Sequence, residues 1–391
     1  MAADGSRVTS ITSGLVRTLA DFCALVKQKL RTIVKTSAGY PRFVSAPADR
    51  PVDWPQVRLH VVTGKGGTGK STVAAALALA LATSGRNVLL CEVEGRQGIA
   101  RMFDVDPLPY EERRIAKGAP DEDGRAGQVH ALHIDPESAL LEYLAMYYKL
   151  GRAGKALDRF GVIDFATTIA PGVRDVLLTG KVYEAVQRPR RSDRRAEHGR
   201  HRDTITYDAV VLDAPPTGRI CQFLGVNSEL AGLAKVGPIK SQADKVMDLL
   251  RSPRTAVHLV TILEEMPVQE TSDGIAELRA AGLPVGGVVV NLVRPQALDA
   301  SALAQVRDGT ADPTAIASDL KRAKVDVDAR LVASLVAEAR DHAVRRRLED
   351  EQRHLVAAED VPTYELPRLA TGIDHGALVE LAQLLRHQAM A

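Results

Sequence analysis

The residues from Leu59 to Thr72, LHVVTGKGGTGKST, gather the side-chain types that handle a phosphate. An apolar run enters a glycine-rich turn, followed by Lys70, Ser71 and Thr72 and then by the helix-forming VAAALALAL. Gly64, Gly69, Lys70 and Ser71 satisfy G-x-x-x-x-G-K-[ST]. Glycines at 64, 66, 67 and 69 let successive backbone N–H groups turn inward around an anion with no side chain in the way. The helix that follows points its positive end at the same anion. In this arrangement Lys70 reaches the β- and γ-phosphates and Ser71 ligates Mg²⁺, so Gly64 through Thr72, with Thr68 inside the turn, is the candidate nucleotide cradle.

A second lysine, Lys65, narrows the class. It cannot easily fold back onto a phosphate that Lys70 already holds, so it is better placed to reach a nucleotide on a facing subunit. GKGGTGKST resembles the deviant P-loop of the dimeric ATPases that include the septum-site and partition ATPases, nitrogenase iron protein, the arsenite-pump ATPase and the tail-anchored-protein targeting ATPase. Further along, Tyr207–Asp213 is an apolar run ending in an acid, the form of a Walker B strand whose Asp213 holds Mg²⁺. It continues as APPTGRICQFL, which is similar to the D-x-A-P-T-G-H-T-x-R-F-L switch of the arsenite-pump and tail-anchored ATPases through Asp213, Pro216, Thr217, Gly218, Phe223 and Leu224. Gly218 would sense the γ-phosphate through its amide. Arg219 stands where the family has His, and would contact the γ-phosphate or the facing subunit.

Three more positions follow from the resemblance. Asn87–Val93 reads as a buried strand leading to Glu94, which occupies the place of the family's water-orienting Asp in D-P-A-H. Glutamate is longer by a methylene, and Arg96 could pair with it. Asn291, closing the strand VGGVVVN, would bond the adenine edge, its amide offering both donor and acceptor. Pro367 resembles the proline of the loop that closes over adenine. The expected cofactors are ATP and Mg²⁺, with Lys65, Lys70, Glu94 and Asp213 as the catalytic set.

These residues need a scaffold. Seven apolar runs alternate with helical stretches, which implies an α/β fold of the P-loop NTPase kind: a mostly parallel sheet flanked by helices, with nucleotide at the carboxyl ends of the strands. Gln128–Ile134 reads as the third strand and residues 106 to 126, polar and glycine-rich, as a loop. A helical insert spans about 135–187, and an arginine-rich run at about 187–203 reads as a solvated loop or an anion-contacting arm. Residues 55–391 would form the ATPase domain. Residues 1–54 form an extension: a basic amphipathic helix at about 7–35 and a proline-rich spacer. That helix would pack on the domain or a partner, lie on a membrane surface, or belong to a poorly ordered tail.

The formal net charge of +2 argues against a general nucleic-acid binder. Three cysteines far apart (Cys23, Cys91, Cys221) provide neither a disulfide framework nor a zinc clasp, which fits a cytoplasmic location. The expected partner is a second copy or a paralogous ATPase, with an apolar-segment client or membrane-protein partner beyond it. Met146 is the one methionine of the insert, unlike the methionine-rich client groove of the tail-anchored targeting ATPase. The competing expectation is a weakly hydrolysing nucleotide-binding scaffold paired with an active paralogue.

Overall fold

The computed structural model describes residues 53–83, 85–95, 97–120, 124–148, 172–188, 206–233, 238–370 and 372–391. The amphipathic segment at 7–35, the centre of the helical insert, most of the arginine-rich run and Arg96 lie outside the described residues.

Eight strands among the described residues join one sheet: β1 (Leu59–Gly64), β2 (Asn87–Glu92), β3 (Arg113–Lys117), β4 (Gln128–His133), β5 (Ala209–Asp213), β6 (Thr255–Thr261), β7 (Val285–Val293) and β8 (Thr363–Pro367). Their order is β3-β4-β2-β5-β1-β6-β7-β8. All neighbours are parallel except β3, which runs antiparallel to β4. Parallel strands covered on both faces are largely apolar, and β1, β5 and β6 are buried at every position. The α/β expectation is met.

The strand count is corrected by one. β3 lies within the stretch read as a loop, which makes Gln128–His133 the fourth strand. RRIAK has no apolar run to betray it, because an edge strand buries little and charged side chains there discourage pairing with other chains.

Two layers of helices cover the sheet. On one face lie α1 (Lys70–Leu81), α2 (Gly98–Met102) and α11 (His375–His387). Val73 to Leu81 of α1 are all buried, against Val62, Leu90 and Val211 on the sheet side and with α11 packed alongside. A helix enclosed this way must be apolar all round. The other face packs Leu89, Leu212 and Leu259 with side chains of α4 (Val173–Gln187), α5 (Thr217–Leu233), α6 (Pro238–Leu250) and α7 (Glu265–Ala280). The described parts of the insert are α3 (Pro136–Tyr148), capped by Asp135 at the Ser138 amide, and α4. Between β7 and β8 come α8 (Ala300–Arg307), α9 (Pro313–Arg322) and the long α10 (Ala329–Ala357).

β1 is central, between β5 and β6. From it the chain moves to one side for β2 to β4 and later to the other for β6 to β8. Crevices for ligands open at such a reversal, outside the carboxyl ends of the strands. The glycine-rich turn leaves β1 at this point.

Candidate functional site

Two glycines of the turn are required by geometry. Gly64 has φ 153°, and a Cβ there would strike the Val260 carbonyl of β6. Gly69 has φ 89°, and a Cβ there would strike the Asn291 amide. Gly69 is also the N-cap of α1 and offers no side-chain cap, so the first-turn amides at Lys70, Ser71 and Thr72 are left to an external acceptor. Gly66 and Gly67 are exposed at the outer rim. Thr68 closes the turn internally, its Oγ1 donating to the Lys65 carbonyl (2.9 Å).

The metal-binding candidates converge. Ser71 Oγ donates to Asp213 Oδ2 at 2.6 Å. Asp213 is buried, and burial pushes its carboxyl up to about 6; the Ser71 hydrogen bond and the Lys70 charge oppose that rise, and Glu94 adds to it. Glu94 is half-buried and makes no hydrogen bond or ion pair among the described residues.

A second carboxylate was passed over in the sequence. Glu92 ends β2 in register with Asp213 on β5 and is 2 % exposed. Its Oε1 accepts from the Gly98 amide at 2.8 Å, while Oε2 faces His133 Nδ1 at 3.9 Å, both atoms lacking a partner. Burial pushes this carboxyl up to about 7, with Asp213 adding to the rise and the Gly98 amide opposing it. An acid as the last residue of an apolar strand, two before Glu94, was the available signal.

The switch is bonded to the phosphate loop at its root, where Thr63 Oγ1 donates to the Pro215 carbonyl (2.7 Å). Only Ala214 to Pro216 are loop; α5 begins at Thr217, so the exposed Gly218 sits in a first helical turn, whose Arg219 amide donates to the Pro216 carbonyl at 2.8 Å. Arg219 is turned to the protein's own Asp175 on α4 at 3.6 Å. Burial raises the Asp175 carboxyl and Arg219 counters it.

Lys65 is engaged within the chain. Its Nζ donates to Glu270 Oε1 on α7 at 2.6 Å, with both side chains about one-third exposed (30% and 37%).

Beside the loop lies a cavity of about 470 Å³ lined by Gly69, Thr72, Asn291, Pro367, Ile373 and Glu349 among others. That volume is in the range of small-molecule sites, roughly 300–1,000 Å³. Asn291 and Pro367, far apart in sequence, thus meet in one wall. β7 does not end at Asn291, as its sequence suggested; it continues to Val293 through a register shift between Val290 and Val293. The irregularity puts Leu292 at φ 57°, turns Leu292 outward (41% exposed) and buries Asn291. Asn291 Nδ2 donates to the Thr68 carbonyl at 2.9 Å, so in this structure its amide braces the phosphate loop.

A family profile described as Anion-transporting ATPase matches residues 57–253, from the start of β1 to just before β6. ATPase BagA of Mycobacterium tuberculosis is 49% identical over 343 residues, covering 87% of this chain and 96% of that one. ATPase get3 of Neurospora crassa is 24% identical over 276 residues, covering 61% of this chain and 74% of that one. The chain belongs to the anion-transporting ATPase family. The family match takes in the phosphate turn, Glu94, Asp213 and the switch; Asn291 and Pro367 lie beyond the profile. Among the described residues no helix is long and apolar enough to cross a membrane.

Proposed function

We propose that this protein hydrolyses ATP with Mg²⁺ as a dimer-forming nucleotide switch. The observation that carries the reading is the 2.6 Å contact of Ser71 with Asp213 beneath an uncapped first turn of α1. Ser71 and Asp213 supply oxygen donors of the kind Mg²⁺ takes, and a carboxyl that burial holds up at about 6 is stabilised as an anion by an adjacent cation. The two residues fit the ion. Held by Ser71 and Asp213, it would neutralise phosphoryl charge.

The chain's own residues would do the rest. The amides from Gly66 to Thr72 and the Lys70 ammonium bind and orient the triphosphate. A water attacks the γ-phosphorus in line. Its oxygen bonds to phosphorus as the bond to the β-bridging oxygen breaks, and its proton passes to Glu94 and on to the released phosphate. Gly218 and Arg219 feel the loss of the γ-phosphate, and the Arg219–Asp175 pair carries that change from α5 to α4. On this reading Lys65 leaves Glu270 to meet a nucleotide on a second copy or a paralogue. The work done is binding and release of a cargo, either an apolar segment on the helical layer or an anion-transporting membrane partner.

Two observations favour a second reading, a weakly hydrolysing scaffold: Lys65 is held by Glu270, and the acid at 94 is one methylene longer than in the family. Steady-state phosphate release with light scattering separates the two. The switch reading expects turnover by the wild type that falls with Lys65→Ala, and ATP-dependent dimers. ATP binding without turnover, unaffected by Lys65→Ala, would transfer the assignment to the scaffold.

A further inference from the structure

The long helix α10 buries Val332, Ala343 and Val356 but leaves other large apolar side chains outside. Val344, Leu348 and Leu355 are more than half exposed (57%, 53% and 54%). Beside its buried Val332, Ala343 and Val356 it also holds Arg346, Glu349 and Gln352 at least partly buried. Helices ordinarily bury their apolar stripe. Polar groups are costly to bury unless they are paired, yet Arg346 Nε and Gln352 Oε1 are buried with no partner. Apolar packing accounts for Val332, Ala343 and Val356 but not for these polar groups.

Glu349 stands where α10 reaches the cavity beside the phosphate loop. It is 7% exposed. Its Oε2 accepts from Arg346 Nη1 at 3.0 Å. Its Oε1 has no hydrogen bond among the described residues; Arg294 Nε, also of the cavity wall, is 3.7 Å away. The wall therefore presents an open carboxylate acceptor beside a guanidinium donor, with the acceptor fixed from behind by a second arginine. At the same cavity two large apolar side chains are left exposed, Leu292 (41%) and Ile373 (37%). A flat apolar ring with a polar edge is the ligand that suits both features.

We infer that Glu349 and Arg294 select a 6-aminopurine, Glu349 accepting from the exocyclic amino group and Arg294 donating to the neighbouring ring nitrogen, while Leu292 and Ile373 cover the ring. This rests on the nucleotide reading of the site. A 6-oxopurine reverses the pattern: its oxygen would face the carboxylate and its ring N–H the guanidinium. Unpaired or opposed polar groups in a desolvated site give the large discriminations. Asn291, in the same cavity wall, gives its nitrogen to the Thr68 carbonyl.

The test is equilibrium binding of Mg-ATP and Mg-ITP, which share a triphosphate and differ at the purine edge, to the full chain and to Glu349→Gln. The wild type should favour ATP by about tenfold or more. In Glu349→Gln an amide can serve either edge, so the preference should shrink by about that factor, mostly through tighter ITP. Arg294→Gln should shrink the preference in the same direction and carries the test should the first variant fail to fold. A role for Glu349 in packing alone would weaken both ligands together and leave their ratio unchanged, which would overturn the inference. A wild type that binds both nucleotides equally would overturn it while leaving the nucleotide site standing; one that binds neither would remove the nucleotide reading itself.

Discussion

At the scale of single residues, Lys65 is tied to the chain's own Glu270 by a 2.6 Å ion pair. The Lys65–Glu270 pair is partly exposed, so it adds at most about 1 kcal/mol to stability. Its larger effect would be on where Lys65 points. Glu270→Ala should leave the thermal midpoint nearly unchanged and lower the protein concentration at which ATP drives self-association, as followed by light scattering. Unaltered self-association would show that the pair holds nothing back. Asn291 separates two roles by a different measurement. If it braces Thr68, Asn291→Ala destabilises the nucleotide-free protein by about 1–3 kcal/mol in urea unfolding, because a buried carbonyl loses its donor. A residue that served only the base would leave the free protein's stability unchanged.

At the scale of elements, the site depends on which strands are neighbours. The phosphate turn, Ser71 and the switch were legible in the sequence because each is a contiguous motif whose glycines, lysine and acids stand at fixed offsets. Glu270, Glu349 and the Glu92–His133 pair were not: the pair meets only through strand order, and Glu270 and Glu349 arrive on helices whose packing the sequence does not show. β3 escaped for the opposite reason, being a charged edge with no periodic signal. The Asn291 bulge illustrates a further limit: the strand could be read, but not the register shift that turns its end into the loop. Between elements, the Arg219–Asp175 contact is the one described ion pair joining the switch helix to α4. Asp175→Asn should therefore leave ATP affinity within about twofold and alter whatever response the helical layer makes to ATP, read as the change in amide exchange of α4 on adding nucleotide. An identical exchange response in the variant would place the coupling elsewhere.

At the scale of the whole molecule, the sheet contains a titratable pair with no part in the mechanism above. His60 on β1 and His258 on β6 are both fully buried and stacked, with His60 Nδ1 3.1 Å from His258 Nε2. The Gly287 amide donates to His258 Nδ1, so that nitrogen is unprotonated; His258 Nε2–H then donates to His60, and His60 carries its own proton on the partnerless Nε2. Burial drives His258 down to about 3 and His60 well below its usual range, with His258 and Arg86 adding to the latter. Both values are lower folded than unfolded, so below about pH 6.5 the unfolded chain binds more protons. Stability from this pair is complete above pH 6.5 and is lost toward pH 3, at up to about 1.4 kcal/mol per pH unit for each histidine. Burial raises Glu92 and Asp213, which act in the opposite sense over the same range, so the pair is read by difference: in urea unfolding at pH 7.5, 6.5 and 5.5, His60→Asn, which keeps an acceptor but cannot titrate, should lose less stability toward low pH than the wild type. An identical pH dependence in the variant would exclude the pair as a contributor.

The central claim is that a water activated by Glu94 attacks ATP held by the turn from Gly64 to Thr72. The measurement that bears on it most directly is phosphate release from Mg-ATP by the wild type and Glu94→Gln, with ATP affinity measured on both. The account predicts turnover by the wild type and a loss of about 10²–10⁴-fold in Glu94→Gln at unchanged ATP affinity, the size of effect expected when a positioned base is removed. Equal turnover in the two proteins would contradict it and would move the search for the base to Glu92.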